Sequence, residues 1–345
     1  MRIRRALAVS STASILLLML APVSSVSGTV AQCFGEPATI VGTPEADRIR
    51  GTDHADVIVG LGGRDVIVGR KGLDLICGND GPDRLDAGRA GDKLSGGLGS
   101  DDIYDGRGDD ISLAGPGRDQ LTSIVQASPC DVFCRTYDRW NDRVAGGPGT
   151  DRLFIDGGYA NLSTGVYVTD ASNDRIAGIE DVSGGFLNET IIGNARDNML
   201  DAYLGEEDIV RGRAGDDIIG ISGSDFEQSE NGRMYGGPGD DWLDFEHDAQ
   251  VDLREGTASS SGGELVLAGF ENVRASANSL LAGDSGPNTL IGEFGVDTLI
   301  GRAGRDVLIS HLRDDSLDGG RGTDRLNGGK GTDSCHHGEV VSNCE

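Results

Sequence analysis

Aspartate recurs every nine residues along the first part of this chain, and the spacing suggests what chemistry the chain can do. The run contains Asp47, Asp56, Asp65, Asp74, Asp83, Asp92, Asp101, Asp110 and Asp119. An aliphatic residue follows nearly every one of them two positions later. Carboxylate oxygens and main-chain carbonyls are the hard ligands that Ca²⁺ selects. The pattern therefore predicts a row of repeated calcium sites.

The elements that must position these carboxylates follow from the neighbouring residues. The clearest units read GGxGxDxUx, where U is apolar; Gly96–Tyr104 and Gly319–Asn327 are two examples. Glycine permits the tight turn, and the apolar residue points inward from the short strand that follows. Two units make one coil of 18 residues. Equivalent aspartates of successive coils then lie about 4.8 Å apart, which allows an ion to sit between turns.

This pattern resembles the nonapeptide repeats of the repeats-in-toxin (hemolysin-type) calcium-binding family, over most of the chain that follows residue 31. The resemblance implies an all-β fold, a parallel β-roll or β-helix solenoid, with Ca²⁺ as the cofactor. Toxins and enzymes of this family place the roll beside an effector domain and leave the cell by a C-terminal signal. This sequence departs on both counts and looks more like stand-alone exported bacterial calcium-binding repeat proteins.

The resemblance carries over turn by turn to the aspartates that keep a glycine two positions earlier. We predict that the metal is bound by Asp65, Asp74, Asp83, Asp101, Asp110, Asp119, Asp151, Asp217, Asp241, Asp297, Asp306, Asp324 and Asp333. Asp47 and Asp56 lack that glycine, and Asp92 has Ala90 in its place, so its turn geometry is doubtful.

Two turns have asparagine where the pattern has aspartate. Asn198 and Asn288 offer an oxygen but no charge. We expect these turns to bind metal more weakly, or to close a coil without it. Asn288 also begins a second array that keeps the nine-residue spacing to Asp333.

The repeats suggest how the chain is divided. We predict a signal peptide (1–31), an N-terminal cap with a first calcium array (32–127), an irregular cysteine-containing excursion (128–141), an interrupted solenoid (142–287), and a second array with a cysteine-closed end (288–345).

The interrupted region contains two related segments of 47 residues, Asp151–Asn198 and Asp241–Asn288. Each has a strand-like stretch followed by a similar element, Ile179–Val182 in the first and Phe270–Val273 in the second. We interpret both segments as coils that have lost the metal motif. Small flaps that leave the roll are the alternative.

The N-terminus predicts export. Arg2, Arg4 and Arg5 form a basic region, and Ala13–Val23 form an apolar core that is short for a membrane span. A retained membrane anchor is the alternative. No other segment is apolar enough to cross a bilayer. We therefore predict a secreted, extracellular protein with no transmembrane segment in the mature chain.

The chain is strongly acidic. Without the three signal arginines it has 27 basic and 57 acidic residues, a net charge of about −30. This charge argues against binding to nucleic acid, because phosphates would be repelled. Two carboxylates about 5 Å apart repel by roughly 1 to 3 kcal/mol. Since a ladder repeats that penalty many times, we expect folding to depend on calcium.

Six cysteines in an exported chain favour disulfides. Fifteen pairings are possible. The spacing favours Cys33–Cys77, Cys130–Cys134 and Cys335–Cys344. A zinc site formed by Cys335, His336, His337 and Cys344 is an alternative for the C-terminal cysteines. The spacing of these residues matches no common zinc finger.

No catalytic motif is present: the sequence contains neither HExxH, nor GxSxG, nor a phosphate-binding loop of the Walker type. We therefore predict that the protein is not an enzyme and has a structural role at a surface or in a matrix. One alternative is a carbohydrate-active enzyme, of the lyase or epimerase kind, on a parallel β-helix. Another is an adhesin. A cell-wall, glycan or protein partner is possible, and the sequence does not identify it.

Overall fold

The computed structural model describes residues 30–122, 141–155, 157–169, 172–185, 187–203, 207–222, 230–260 and 263–345. Most of the predicted signal segment, most of the predicted excursion and the predicted Cys130–Cys134 pair lie outside these residues. Residues Ala31–Glu345 form one unit. No described residue belongs to a helix, so the described part contains no helix that could span a lipid bilayer.

The described residues form short strands from end to end. In chain order they are β1 (Gln32–Cys33), β2 (Glu36–Pro37), β3 (Ile40–Val41), β4 (Arg48–Arg50), β5 (Val57–Gly62), β6 (Val66–Lys71), β7 (Leu75–Asp80), β8 (Arg84–Arg89), β9 (Lys93–Leu98), β10 (Asp102–Tyr104), β11 (Ile111–Leu113), β12 (Gln120–Thr122), β13 (Arg143–Ala145), β14 (Arg152–Phe154), β15 (Gly158–Asn161), β16 (Val166–Val168), β17 (Asn173–Ala177), β18 (Asp181–Ser183), β19 (Glu189–Ile192), β20 (Met199–Tyr203), β21 (Ile209–Arg211), β22 (Ile218–Ser222), β23 (Glu230–Tyr235), β24 (Trp242–Phe245), β25 (Gln250–Asp252), β26 (Thr257–Ser260), β27 (Gly263–Ala268), β28 (Asn272–Ala275), β29 (Leu280–Ala282), β30 (Thr289–Gly292), β31 (Thr298–Ile300), β32 (Ala303–Gly304), β33 (Val307–Ser310), β34 (Ser316–Asp318), β35 (Arg321–Gly322), β36 (Arg325–Asn327), β37 (Ser334–His336) and β38 (Val340–Ser342).

Two long sheets are built from alternate strands of this series. The strands of sheet 1 are all parallel and lie in the order β4, β6, β8, β10, β12, β14, β18, β20, β22, β24, β28, β30, β33, β36 and β38. In sheet 2 the paired neighbours are β3, β5, β7, β9, β11, β13, β17, β16, β15, β19, β21, β23, β27, β26, β25, β29, β31, β34 and β37. The predicted all-β parallel β-roll is confirmed.

The core is a double row of aliphatic side chains, one from each sheet. In sheet 1, Ile67, Leu85 and Ile103 stack in register and are fully buried. In sheet 2, Ile58 and Ile76 do the same. Each such side chain contributes about 1.5 to 3 kcal/mol when buried. These are the residues two positions after the ladder aspartates, so the nine-residue period places a carboxylate and a core residue in every half coil.

The two 47-residue segments alter sheet 2 and leave sheet 1 regular. In the first segment, β16 pairs antiparallel with both β15 and β17. Three strands joined in a meander therefore stand where an ordinary coil adds one parallel strand to sheet 2. In the second, β26 pairs antiparallel with β25 and β27 in the same way. Strands β18 and β28 meanwhile continue sheet 1 in parallel register. Both sheets contain strands from before and after the domain boundaries suggested above. Those boundaries therefore remain predictions.

A small hairpin covers the outer face of the first coils. Strands β1 and β2 pair antiparallel, and Cys33 is joined to Cys77 of β7 by a disulfide. Cys33, Cys77 and Val59 form a separate buried cluster on the side of sheet 2 that faces away from the main core. The hairpin thus shields the N-terminal strands, as expected for the end of a solenoid.

The C-terminal pair is also present. Cys335 of β37 is joined to Cys344. The predictions of Cys33–Cys77 and Cys335–Cys344 are therefore confirmed. Since the two C-terminal cysteines bind each other, the zinc alternative for that cluster is wrong.

Removal of the N-terminal disulfide should loosen the first coils selectively. The bond links residues 44 positions apart, and the chain-entropy relation assigns about 4 kcal/mol to a loop of that length. We expect replacement of Cys33 and Cys77 by alanine to speed amide hydrogen exchange in β5 and β7 of the calcium-loaded protein. Replacement of Cys335 and Cys344, which are 9 positions apart, is the control. Equal exchange in the two double variants would contradict this assignment.

Candidate metal sites in the turns

Each ladder aspartate uses one carboxylate oxygen to join successive coils. The amide N–H of Asp83 donates to Oδ1 of Asp101 at 2.8 Å, and the N–H of Asp101 donates to Oδ1 of Asp119 at 2.8 Å. The same bond recurs along both sheets from Asp47 to Asp333. This hydrogen bond fixes the position of the carboxylate. The donor is a neutral main-chain N–H, so the bond does not balance the negative charge of an ionised carboxylate.

The second carboxylate oxygen is buried and has no hydrogen-bond partner among the described residues. This holds for Oδ2 of Asp65, Asp74, Asp83, Asp92, Asp101, Asp119, Asp151, Asp217, Asp241, Asp297, Asp306, Asp324 and Asp333. A buried polar atom is normally hydrogen-bonded, and a buried unpaired carboxylate is costly. A row of such oxygens fits a bound hard cation, and carboxylate oxygen is what Ca²⁺ prefers.

A glycine five positions before each of these aspartates often makes room for that oxygen. At Gly69, a Cβ atom would lie 2.7 Å from Oδ2 of Asp74 and 3.1 Å from Cδ1 of Ile76. A side chain there would therefore collide with both the candidate ligand and the core. This explains the first glycine of the repeat unit.

Burial raises the pKa of most of these carboxyl groups. Desolvation is the main cause, and the hydrogen bond from the preceding coil opposes it only in part. The pKa rises to about 8 for Asp92 and to about 7 for Asp101. It rises to about 6 for Asp83, Asp151, Asp217, Asp241, Asp297 and Asp306. A cation at these oxygens would favour the ionised form, so metal and protons compete for the same atoms.

The first two turns satisfy their carboxylates internally. The N–H and hydroxyl of Thr43 donate to Oδ2 of Asp47 at 2.6 and 2.9 Å. Thr52 does the same for Asp56 at 2.7 and 2.9 Å. Threonine here occupies the position of the second glycine of the repeat unit. Asp47 and Asp56 therefore have hydrogen-bond donors at Oδ2, where the aspartates named above have none.

The two asparagine turns are also closed without an ion. The side-chain N–H of Asn198 donates to the carbonyl oxygen of Glu180 at 2.7 Å, and that of Asn288 donates to the carbonyl oxygen of Glu271 at 3.0 Å. Their Oδ1 atoms accept main-chain N–H groups at 2.9 Å. A neutral amide thus fulfils hydrogen bonds where an aspartate would leave an unpaired oxygen.

A scan against protein-family models decides which family has this arrangement. The model for the RTX calcium-binding nonapeptide repeat (4 copies) matches residues 39–67, 50–85, 86–121, 183–219, 276–309 and 312–339, just over half of the chain. The chain belongs to the RTX calcium-binding repeat family. RTX repeats bind calcium, so this is a calcium-binding β-roll protein. A search of curated proteins returned no match.

The carboxylate ladder extends beyond the residues that the RTX family model matches. The family model leaves residues 122–182 and 220–275 unmatched. These stretches contain both antiparallel meanders, β15 to β17 and β25 to β27. The carboxylate ladder of sheet 1 nevertheless reaches into them, through Asp151 and Asp241.

Three glutamates that sequence reasoning did not select occupy ladder positions of sheet 1. Oε2 of Glu180, Glu271 and Glu339 accepts the N–H of Asp151, Asp241 and Asp324 at 3.2, 2.9 and 2.5 Å. Each stands immediately before a strand, in the segments IEDV, FENV and GEVV. The repeated glutamate before an apolar strand was the available signal. It marks the end of each run of RTX turns in sheet 1.

Other ladder members were missed because their turns depart from the RTX pattern. The N–H of Asp110 donates to Asp142, and that of Asp142 donates to Asp174. Glu189 replaces aspartate in a repeat-like unit, and its N–H donates to Asp208 at 2.8 Å. Asp92 and Asp315 also hold ladder positions. Apart from Asp110, these residues lack the glycine two positions earlier, and that criterion left them out of the predicted sites.

The Asp92 turn offers a stability prediction. Ala90 has φ near +96°, in the left-handed region that favours glycine. Replacing Ala90 by glycine removes the steric penalty on Cβ, so we expect the calcium-loaded RTX roll to gain about 1 kcal/mol. The reverse change at Gly72, with φ near +122° one coil earlier, should destabilise it. Thermal melting checks both variants; a lower melting temperature for Ala90→Gly would contradict the strain assigned to this residue.

The asparagine turns offer a second prediction. Asp101→Asn should convert an RTX metal turn into a self-satisfied one, because Asn198 and Asn288 show how an amide closes such a turn. We expect calorimetry to count at least one calcium ion fewer, and we expect a higher melting temperature in chelator. The neighbouring Asp102→Asn has the same charge change outside the ladder and is the control. An unchanged ion count for Asp101→Asn would contradict the ligand assignment.

Proposed function

We propose that this RTX protein is exported and folds by binding extracellular calcium, and that the folded roll has a structural role at a surface or in a matrix. The observation that carries the proposal is the row of buried, unpartnered Oδ2 atoms. In this proposal calcium is the group that completes the core of every RTX turn. Its absence inside the cell, where free calcium is scarce, would keep the acidic chain unfolded until export.

The ligands we propose are those carried over from the RTX pattern. They are Asp65, Asp74, Asp83, Asp101, Asp110, Asp119, Asp151, Asp217, Asp241, Asp297, Asp306, Asp324 and Asp333. All of them are buried, and each accepts the N–H of a residue in the preceding coil. Carbonyl groups of the turns would supply further oxygen ligands.

Export is supported by three features. The first residues have the basic and apolar regions of a secretory signal. The disulfides Cys33–Cys77 and Cys335–Cys344 are typical of oxidising compartments. The third feature is the calcium ladder itself, because extracellular modules commonly bind calcium in the range of about 10⁻⁴ to 10⁻³ M. Cell fractionation with N-terminal sequencing tests export; an uncleaved protein with free thiols inside the cell would contradict it.

Calorimetric titration of the chain lacking residues 1–31 tests the calcium proposal. We expect several ions per chain and a cooperative transition near 10⁻⁴ to 10⁻³ M, because an ion that orders one coil also positions the ladder of the next. Mg²⁺ is the control, since it demands a smaller octahedral site and dehydrates reluctantly. Absence of calcium heat, or equal heat from Mg²⁺, would refute the proposal. We propose neither carbohydrate cleavage nor adhesion, because no arrangement of the described residues favours either.

A further inference from the structure

Three buried carboxylates meet where the chain enters strands β11 and β13 of sheet 2. Asp105, Asp110 and Asp142 are each no more than 3% exposed. One carboxylate oxygen from each lies within 4.8 Å of the others. Asp110 and Asp142 are successive ladder members, and Asp105 is an additional charge. The RTX pattern does not account for this third carboxylate.

Asp105 stands where an RTX turn has its first glycine, five positions before Asp110. At the equivalent Gly69, two coils earlier, a Cβ would lie 2.7 Å from Oδ2 of Asp74. The side chain of Asp105 therefore begins beside the carboxylate of Asp110. Carboxylates this close repel one another strongly where water is excluded. A bound cation would turn that repulsion into attraction.

An independent observation points to a ligand at the same place. Ser112 is 1% exposed, and its Oγ has no hydrogen-bond partner among the described residues. It holds the inward position of sheet 2 between Leu94 and Val144. Most described residues at this position of the coil are aliphatic. A buried hydroxyl without a partner costs about 1 to 3 kcal/mol relative to a bonded one.

The coil geometry places Ser112 close to the carboxylate cluster. In equivalent turns, a Cβ at the first glycine would lie 3.1 Å from the core side chain of Ile76 and 3.2 Å from that of Ile58. Ser112 occupies the place of these isoleucines, and Asp105 occupies the place of the glycine. By the same register, Ser112 and Asp105 are neighbours on the inner side of the coil. A polar residue has thus replaced a core residue opposite the extra carboxylate.

We propose that Asp105, Asp110, Asp142 and Ser112 bind a calcium ion inside the roll, where Asp105 and Ser112 are ligands that the glycine-lined RTX turns lack. The inference rests on the proposed calcium function and adds to it. Three carboxylates and a hydroxyl form a hard oxygen set, and affinity for Ca²⁺ increases with ligand charge. This ion therefore binds before those of the ordinary turns. It also links two ladder residues 32 positions apart, across the predicted excursion.

Calcium calorimetry on matched variants tests this site. In the wild-type chain without residues 1–31, we expect one ion to bind about tenfold or more tightly than the rest. Asp105→Gly restores the RTX glycine and should abolish that tight phase while the remaining ions still bind. Asp86→Asn, an equal loss of charge on the neighbouring coil outside the cluster, should retain it. A tight phase that persists unchanged in Asp105→Gly overturns the proposal.

Two further variants keep the test decisive. Asp105→Asn preserves side-chain size if the glycine variant does not fold, and it should also lose the tight phase. Ser112→Ala removes only the hydroxyl and should weaken the tight phase. If the cluster were merely a polar packing feature, both variants would change the melting temperature in chelator and leave the first calcium affinity unchanged. If neither the wild-type chain nor any variant binds calcium, the proposed calcium function is refuted. If calcium binds but none of these substitutions changes the tight phase, only the proposed Asp105 site is refuted.

Discussion

Chelation of calcium at neutral pH is expected to unfold Ala31–Glu345, with loss of the β-sheet signal in circular dichroism. The reason is the row of buried Oδ2 atoms without hydrogen-bond partners. At neutral pH the carboxylates whose pKa is about 6 are ionised. Without a cation, each of them is a desolvated charge beside others of the same sign. The thin aliphatic core cannot offset this repulsion repeated along the roll.

Small-angle scattering measures the same event by size. We expect the radius of gyration to rise toward about 60 Å, the value for an unfolded chain of this length. Restored calcium should reverse the change, and Mg²⁺ at the same concentration should not. The disulfides should survive the cycle, so refolding needs no oxidant. A chelated sample with unchanged sheet content and size would show that calcium does not hold the roll together.

Acid is expected to stabilise the calcium-free roll, in contrast to most proteins. The pKa of Asp92 is raised to about 8, that of Asp101 to about 7, and those of several others to about 6. In the unfolded chain these groups titrate near 4. The folded state therefore holds more protons than the unfolded state between about pH 4 and 8. Stability falls as pH rises through that window and is fully present below it.

Thermal melts in chelator between about pH 4.5 and 8 measure this dependence. We expect the melting temperature to be highest at the acidic end and the sheet signal to disappear toward pH 8. In millimolar calcium the slope should reverse above about pH 5, because protons compete with calcium for the same oxygens. Asp101→Asn should flatten the chelator profile near pH 7. A chelated protein that melts lowest at pH 4.5 would show that its carboxylates are not buried as the structure has them.

The coil itself could be predicted from the sequence because its period is strict. Ile103 follows Asp101 by two positions, and the structure buries that isoleucine and ties that aspartate into the ladder. The turn glycines, the parallel sheets and the stacked core follow from the same spacing. A local pattern repeated at constant length leaves only one way to stack its apolar residues.

The ends of the runs of RTX turns could not be predicted in this way, although the start of the second array at Asn288 could. In sheet 1, Glu180 and Glu271 occupy ladder positions, and Asn198 and Asn288 begin the next runs. The role of these residues depends on which main-chain group of the neighbouring coil faces them. That register is set by the insertions between coils, which the nine-residue spacing does not contain.

The turn at Asp47 and the Asp105 cluster likewise could be recognised only from the tertiary structure. Thr43 looks like an imperfect repeat residue, and only its bonds to Asp47 reveal that Oδ2 of this carboxylate has hydrogen-bond donors. Asp105 looks like a lost glycine, and only the fold brings it beside Asp142.

The order of residues along the chain by itself determined the roll, its core rows and the aspartates that calcium would bind, because these depend on contacts repeated at one fixed separation. Tertiary structure alone decided which carboxylate oxygens are left without a partner, where the antiparallel meanders enter sheet 2, and which extra charge joins a ladder pair. Those outcomes depend on atoms in neighbouring coils separated by 18, 24 or 32 residues, a spacing that varies with every insertion.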